Sequence, residues 1–232
     1  LEFTTAVRFR LGCDIPNMPR KCNCARRPPL DKKGVHLTSC AKGGHLIRNH
    51  NMVQRDLQVL ATSAGFQASA LCKDVLLRNN VEPNANRKGD LLIPGLGDKD
   101  KGWPLLLDVT ITHPACPSAA AATKRDPTSS IRKAESRKNS IYLELAATND
   151  ISFTPMALEC ARYGALSKDF DKLVRKLCHI RAEALEIDEE AVLNYWFRRI
   201  SCTIQRGNCS AISKRILDIA QTTSLQQDDA LL

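Results

Sequence analysis

Apolar residues return at helical intervals from Leu46 onward. Leu46, Val53, Leu57 and Leu60 fall on one face of a helix that Gly65 can stop. Two shorter runs follow with a different rhythm. Residues 90–94, DLLIP, and 104–112, PLLLDVTIT, are too short for helices and rich in leucine and β-branched residues, so they read as strands joined by a surface turn, GLGDKDKG. The segment between helix and strands, residues 66–86, is ambiguous: SALCKDVLLRNNVEP suits a strand or a short helix ending at Pro83. Thr128 or Ser129 can cap a helix running to about Ala147. DISFTPMALE then reads as a further strand. After Gly164 the pattern predicts helices over 166–184, 188–203 and 208–222, and the polar tail TTSLQQDDALL is expected to fray. This order predicts an α/β core, a small mixed sheet flanked by helices, followed by a helical extension. No internal repeat is visible.

Three charged residues break the apolar pattern. Asp90 opens the first strand and Asp108 sits inside the second. A carboxylate in an apolar strand is costly unless something compensates it. If the two strands are adjacent and antiparallel, both carboxylates meet at one edge of the sheet, where paired hard oxygens suit Mg²⁺. Such an ion activates water and offsets charge on a phosphate being cleaved. Glu82, just upstream, is a candidate third oxygen ligand. The plainer alternative makes Asp90 a strand-end residue and pairs Asp108 with an arginine for structure. The third residue is Lys138. Ile131, Ala134, Ile141 and Leu145 form a stripe on the following helix, and position 138 completes it. A lysine there either snorkels or is aimed at something anionic. Lys124 is a second candidate from the preceding loop. His113 suits a strand cap or a general base, and Tyr195 and Trp196 suit helix packing. The sequence has no G-x-S-x-G, no P-loop and no Rossmann glycine pattern.

Composition adds a partner class and a second metal. The 232 residues suit one domain with appendages or two small domains, and 43% hydrophobic content supports a core. The net charge is +9, and residues 1–60 hold 11 Lys/Arg against 4 Asp/Glu. A basic balance of this kind points toward nucleic acid. Residues 17–45 are rich in Pro, Gly and basic side chains and poor in core hydrophobes, a segment that a metal would hold together. Cys22-x-Cys24 and His36-x3-Cys40 offer four zinc ligands at suitable separation. Cys13, His45 and His50 are possible substitutes. The other six of the ten cysteines are scattered singly, as buried small hydrophobes usually are. Leu1 stands where an initiator Met would, which suggests a fragment of a longer polypeptide. No signal peptide is recognisable, so secretion is not expected, and no apolar run reaches ~18 residues, so no membrane span is expected. The divisions that follow are a basic zinc-binding segment over 1–45, an α/β core over 46–165 and a helical extension over 166–232.

The motifs occur in a telling order. C-x-C…H-x3-C is followed by RNHN opening a helix, then EP, GDLLIP, LLLDVTITHP, RKNSIYLEL, FTPMALE and WFRRISCTIQRGN. Over roughly residues 10–215 this resembles the C-terminal region of non-LTR retrotransposon polyproteins, which carry a zinc knuckle and a restriction-like endonuclease of the PD-(D/E)XK superfamily. The resemblance implies that Asp90 matches the PD aspartate and Asp108 the second acidic residue. It implies that the catalytic lysine has moved from the strand to the helix, at Lys138. Glu82 matches an upstream EP, and Cys22, Cys24, His36 and Cys40 match the knuckle. The chain departs from the pattern twice: Gly89 stands in place of proline, and Thr110 in place of the strand lysine. The implied activity is Mg²⁺-dependent nicking of target DNA in the nucleus, so that a new 3′ end primes reverse transcription. The chain would be covalently part of a longer reverse-transcriptase polyprotein, although it carries no reverse-transcriptase motif of its own. DNA, and also element RNA, would lie on Arg26, Arg27, Lys32, Lys33, Lys124 and Arg125. The alternative is a non-catalytic nucleic-acid-binding module built on a decayed or domesticated nuclease fold.

Overall fold

A computed structural model describes residues 2–70, 89–98, 100, 102–160 and 164–228. Glu82 and most of the ambiguous 66–86 segment lie outside the described residues. The elements are α1 (Glu2–Leu11), α2 (Val35–Ser39), α3 (His45–Ser63), β1 (Leu91–Ile93), β2 (Leu105–Thr112), α4 (Pro117–Arg125), α5 (Ser129–Thr148), β3 (Ser152–Glu159), α6 (Lys168–Leu185) and α7 (Glu189–Asp228). The strands form a three-stranded sheet in the order β1-β2-β3. β1 pairs antiparallel with β2, and β3 pairs parallel with β2 after a crossover through α4 and α5. The architecture is therefore mixed α/β, a small mixed sheet flanked by helices.

Both faces of β2 are covered, which is why its leucines and valine run nearly without interruption. Leu105, Leu107 and Val109 face a core built with α3, α6 and the first half of α7, where Leu57, Phe170, Leu177 and Trp196 are buried. Leu106 faces α5, where Tyr142 stacks on Phe153 of β3 with ring centroids 5.1 Å apart. Pro155 lies within β3, which tolerates a missing N–H because β3 pairs with β2 on one side and, among the described residues, meets only an isolated bridge, Leu158 with Leu166, on the other. Ser167 caps α6 by accepting from the Phe170 amide at 3.2 Å, and Asp169 and Asp171 occupy its first turn.

The C-terminal region departs from the sequence reading. The helices expected at 188–203 and 208–222 are one helix of 40 residues, which also continues through the tail expected to fray as far as Asp228. Gly207 falls in the gap between the two expected helices. Here Gly207 lies inside α7 because Asn49 of α3 occupies the space beside it. A Cβ at position 207 would come 2.5 Å from Asn49 Oδ1. Asn208 donates from its side chain to the Cys160 carbonyl. Gly→Ala in a helix interior ordinarily stabilises by roughly 0.5–1 kcal/mol. Gly207→Ala is expected to destabilise instead, by about 1–3 kcal/mol through overpacking, read as a lowered denaturant midpoint with an unchanged slope.

The N-terminal segment is also better packed than its composition suggests. Phe9, Ile15, Leu37, Cys22 and Cys40 form a second small core with Ile212 and Ile219 of α7. The expectation of a segment without core partners missed α7, whose second half supplies them. One half of α7 thus packs on the sheet core and the other half on the N-terminal segment. Tyr195 was expected to pack inward beside Trp196, but only Trp196 is buried. Tyr195 is exposed, sits edge-on to the Trp196 ring, and accepts a hydrogen bond from Arg199 at 3.0 Å.

Candidate functional site

Cys22 and Cys24 sit in a tight loop closed by the Cys22 amide donating to the Pro28 carbonyl at 3.0 Å and the Arg27 amide donating to that of Cys24 at 3.0 Å. His36 lies on α2, and Cys40 follows its last turn. The four ligand atoms all fall within 4.8 Å of one another. Cys22 Sγ is 3.9 Å from Cys40 Sγ, and Cys24 Sγ is 3.7 Å from His36 Nε2. Bonds of about 2.3 Å to sulfur and 2.0 Å to nitrogen around a tetrahedral ion put ligand atoms roughly 3.5–3.8 Å apart. The donor set therefore fits a metal such as zinc. Burial pushes the Cys40 thiol up to about 11. Burial also raises Cys24, but hydrogen bonds from Cys22, the Arg26 and Arg27 amides and Cys40 outweigh it and bring that thiol below its ordinary value. The possible substitutes lie elsewhere: Cys13 is exposed, His45 is buried outside the cluster, and His50 pairs with Asp90.

One contact to this cluster had no signal in the sequence. Arg215 of α7, only 2% exposed, donates to Cys22 Sγ at 3.3 Å and to the Asn23 side chain, and it pairs with Asp218. It lies 193 residues from Cys22, so no local pattern links the two.

The acidic residues meet at the β1–β2 edge. Leu91 pairs with Leu107, and the same register carried one residue further sets Asp90 opposite Asp108. Asp90 accepts from the Val109 amide at 2.6 Å through Oδ2. His50 of α3 reaches the same oxygen through Nε2 at 2.9 Å. Gln54, one turn further along α3, donates to the Asp90 carbonyl. Asp108 is buried, and Lys138 of α5 places its amine 2.8 Å from Oδ1 and 3.0 Å from Oδ2. The Lys138 amine also lies 5.5 Å from the centre of the Tyr142 ring. The lysine that interrupts the α5 stripe thus points at the strand aspartate. Burial raises the Asp108 carboxyl, the bond from Lys138 opposes that rise, and the Asp90 charge adds to it.

Gly89 precedes this pair because nothing larger fits: a Cβ there would come 2.2 Å from Leu106 Cδ1. Thr110, on the same face as Asp108 and two residues on, has a buried hydroxyl with no hydrogen-bond partner among the described residues. Among those residues, only the Cys22, Cys24, His36 and Cys40 set brings three or more metal-ligating side chains together. Asp90 and Asp108 are a pair, and Glu82 lies outside the description.

The sequence offers His50 as a substitute zinc ligand, but the structure pairs it with Asp90 instead. The Asp90 hydrogen bond raises its pKa above the ordinary 6.5, and the Asp108 charge adds to the rise. A raised histidine contributes stability that is fully present below about pH 6.5 and is lost as pH climbs through the folded value. His50→Gln is therefore expected to lower the melting temperature most near about pH 5.5 and progressively less in alkaline buffer, measured without added divalent cation. A constant difference across that range would contradict the pairing.

His113, at the end of β2, contacts Cys160 Sγ at 2.8 Å through Nδ1. Burial lowers it to about 4 and raises Cys160 to about 12, so both are neutral and the pair resembles packing more than a nucleophile with its base. The basic candidates Arg26, Arg27, Lys32, Lys33, Lys124 and Arg125 are all exposed. Lys33 and Lys124 come to one cavity although they are far apart in sequence.

No family model matches the chain, and no curated protein matches it. Among the described residues, no helix is long and apolar enough to cross a membrane.

Proposed function

We propose that this chain is a metal-dependent DNA endonuclease, a restriction-like nuclease domain with a zinc knuckle, from a retroelement polyprotein. The observation that carries the reading is the juxtaposition of Asp90, Asp108 and Lys138 at one end of the β1–β2 pair. Sequence motifs separated by 18 and 30 residues converge there, with the lysine supplied by α5 in place of the strand position that Thr110 holds. Asp90 and Asp108 would hold Mg²⁺, which would supply Lewis acidity toward a phosphodiester and an activated water. Lys138 would then orient that water and offset charge on the phosphate. His50 and the Val109 amide fix the Asp90 carboxylate in place. Zinc at Cys22, Cys24, His36 and Cys40 would be structural, because all four positions are filled by protein ligands. DNA would be held through exposed arginines and lysines of the knuckle and α4, so affinity should fall steeply with salt and depend little on sequence. Nuclear action on target DNA, to prime reverse transcription by the rest of a polyprotein, belongs to the same reading.

A second reading is favoured by one observation. Lys138 and His50 already engage the two carboxylates at 2.8 and 2.9 Å, as they would in a module that binds nucleic acid but no longer cuts it. Conversion of supercoiled plasmid to open circles in Mg²⁺ separates the two. The nuclease reading predicts nicking that Asp108→Ala abolishes. The binding-module reading predicts salt-sensitive binding by both proteins and nicking by neither.

A further inference from the structure

A cavity of about 670 Å³ opens between the N-terminal segment and α4, lined by neither Asp90 nor Asp108. Its volume lies in the usual range of ligand pockets. The walls are apolar: Phe9 of α1, Val35, Pro114 and Pro127 contribute to them. Lys33 and Lys124, both exposed, bring cations to it from two different elements. Its lining also includes a carboxylate. Glu159, at the end of β3, is 2% exposed, and among the described residues its one side-chain hydrogen bond is from Ser130 to Oε1 at 3.1 Å.

The cavity and the acidic site share one face of the sheet. Glu159 pairs with Thr112, which lies four residues beyond Asp108 on β2 and on the same side. At about 3.3 Å per residue the two are roughly 13 Å apart along the strand. An apolar slot with an aromatic wall, two cations and a hydrogen-bond acceptor complements one nucleotide. The base takes the apolar walls, its phosphates take the lysines, and an amino group on the base edge takes the carboxylate. A fatty acid would bring its own carboxylate against Glu159, and a neutral apolar ligand would leave both lysines without a counterpart.

We propose that this cavity receives one unpaired nucleotide of a bound DNA strand, with Lys33 and Lys124 on its phosphates and Glu159 accepting from an exocyclic amino group of the base. This rests on the nucleic-acid reading above and gives it a base preference. Cytosine has an amino donor and thymine has none.

The test is fluorescence anisotropy with fluorescein-labelled single strands dC12 and dT12 and with a duplex of mixed sequence. It compares wild type, Ala120→Trp, which fills the cavity from α4, and Glu159→Gln, with melting temperature as the check on folding. Wild type is expected to bind dC12 about fivefold more tightly than dT12. Ala120→Trp should weaken both strands by about tenfold, the scale of one stacked base, and erase their difference while leaving duplex affinity unchanged. Glu159→Gln should narrow the preference. Equal affinity of wild type for dC12 and dT12, or a folded Ala120→Trp protein that binds strands as wild type does, overturns the assignment. Absence of salt-sensitive binding to any of the three DNAs would instead sink the nucleic-acid reading itself.

Discussion

Stripping the metal from the Cys22, Cys24, His36 and Cys40 cluster, or replacing Cys40 by serine, should release the N-terminal segment and the second half of α7 together while the sheet core stays folded. The small core there consists of Phe9, Ile15, Leu37, Ile212 and Ile219 around two of the cysteines, too few apolar side chains to hold the segment alone. Structural zinc contributes on the order of 10 kcal/mol to small metal-dependent domains, and nothing in that cluster offsets such a loss. Arg215 adds to the coupling. Its guanidinium is buried against Cys22 Sγ, so an N-terminal segment that opens leaves a buried cation short of partners on α7. Hydrogen exchange in the metal-free protein should show lost protection over α1, α2 and roughly residues 208–222. β2, β3 and α6, which belong to the other core, should keep theirs. Uniform loss of protection would mean that the two cores are one cooperative unit. Unchanged protection would mean that the cluster holds no structural metal.

The second large effect is on catalysis. Asp108→Ala should lower plasmid nicking by about 10³-fold or more, and Lys138→Ala by about 10²–10³-fold, the scale of removing one preorganised electrostatic group. The stability effects should run the other way. Without Asp108, the Lys138 side chain is already 22% exposed and can turn to water. Without Lys138, a carboxylate 3% exposed loses its cation, and breaking a buried pair from that side is the costly direction. Lys138→Ala should therefore melt lower than Asp108→Ala while keeping more residual activity. Asp108 is already raised by burial, and loss of Lys138 raises it further. The extra destabilisation of Lys138→Ala should accordingly be greatest where Asp108 must ionise and shrink as acid protonates it. If both variants nick as wild type does, the acidic pair is structural and the catalytic assignment is wrong.

Much of the fold was legible in hydrophobic spacing. The strands at β1, β2 and β3 and the helices α3, α5 and α6 follow from it because each lays a continuous apolar face on the sheet. The Lys138 position was legible for the same reason, since a lysine on that stripe stands out. The helix α4 was missed although it carries a signal, Pro117 at its first turn before a run of alanines. The unbroken α7 was not legible, because the reason a glycine sits inside it, the packing of Asn49 from another helix against Gly207, is a tertiary contact. The same holds for His50 on Asp90 and Arg215 on Cys22. These pairs are 40 and 193 residues apart in the chain, and a single sequence has no local pattern that joins them. The four metal ligands were legible because their chemistry is local, confined to 19 residues. The partition of the two carboxylates between His50 and Lys138 depends on tertiary contacts and was not.

The most direct measurement is the fate of supercoiled plasmid incubated with the wild-type chain, purified without chelator, with and without added Mg²⁺ and with Asp108→Ala alongside. The predicted result is accumulation of open circles only when Mg²⁺ is present, and none with Asp108→Ala. Plasmid that stays supercoiled in Mg²⁺ while still binding the wild-type protein in a salt-sensitive manner would contradict the nuclease and leave a nucleic-acid-binding module.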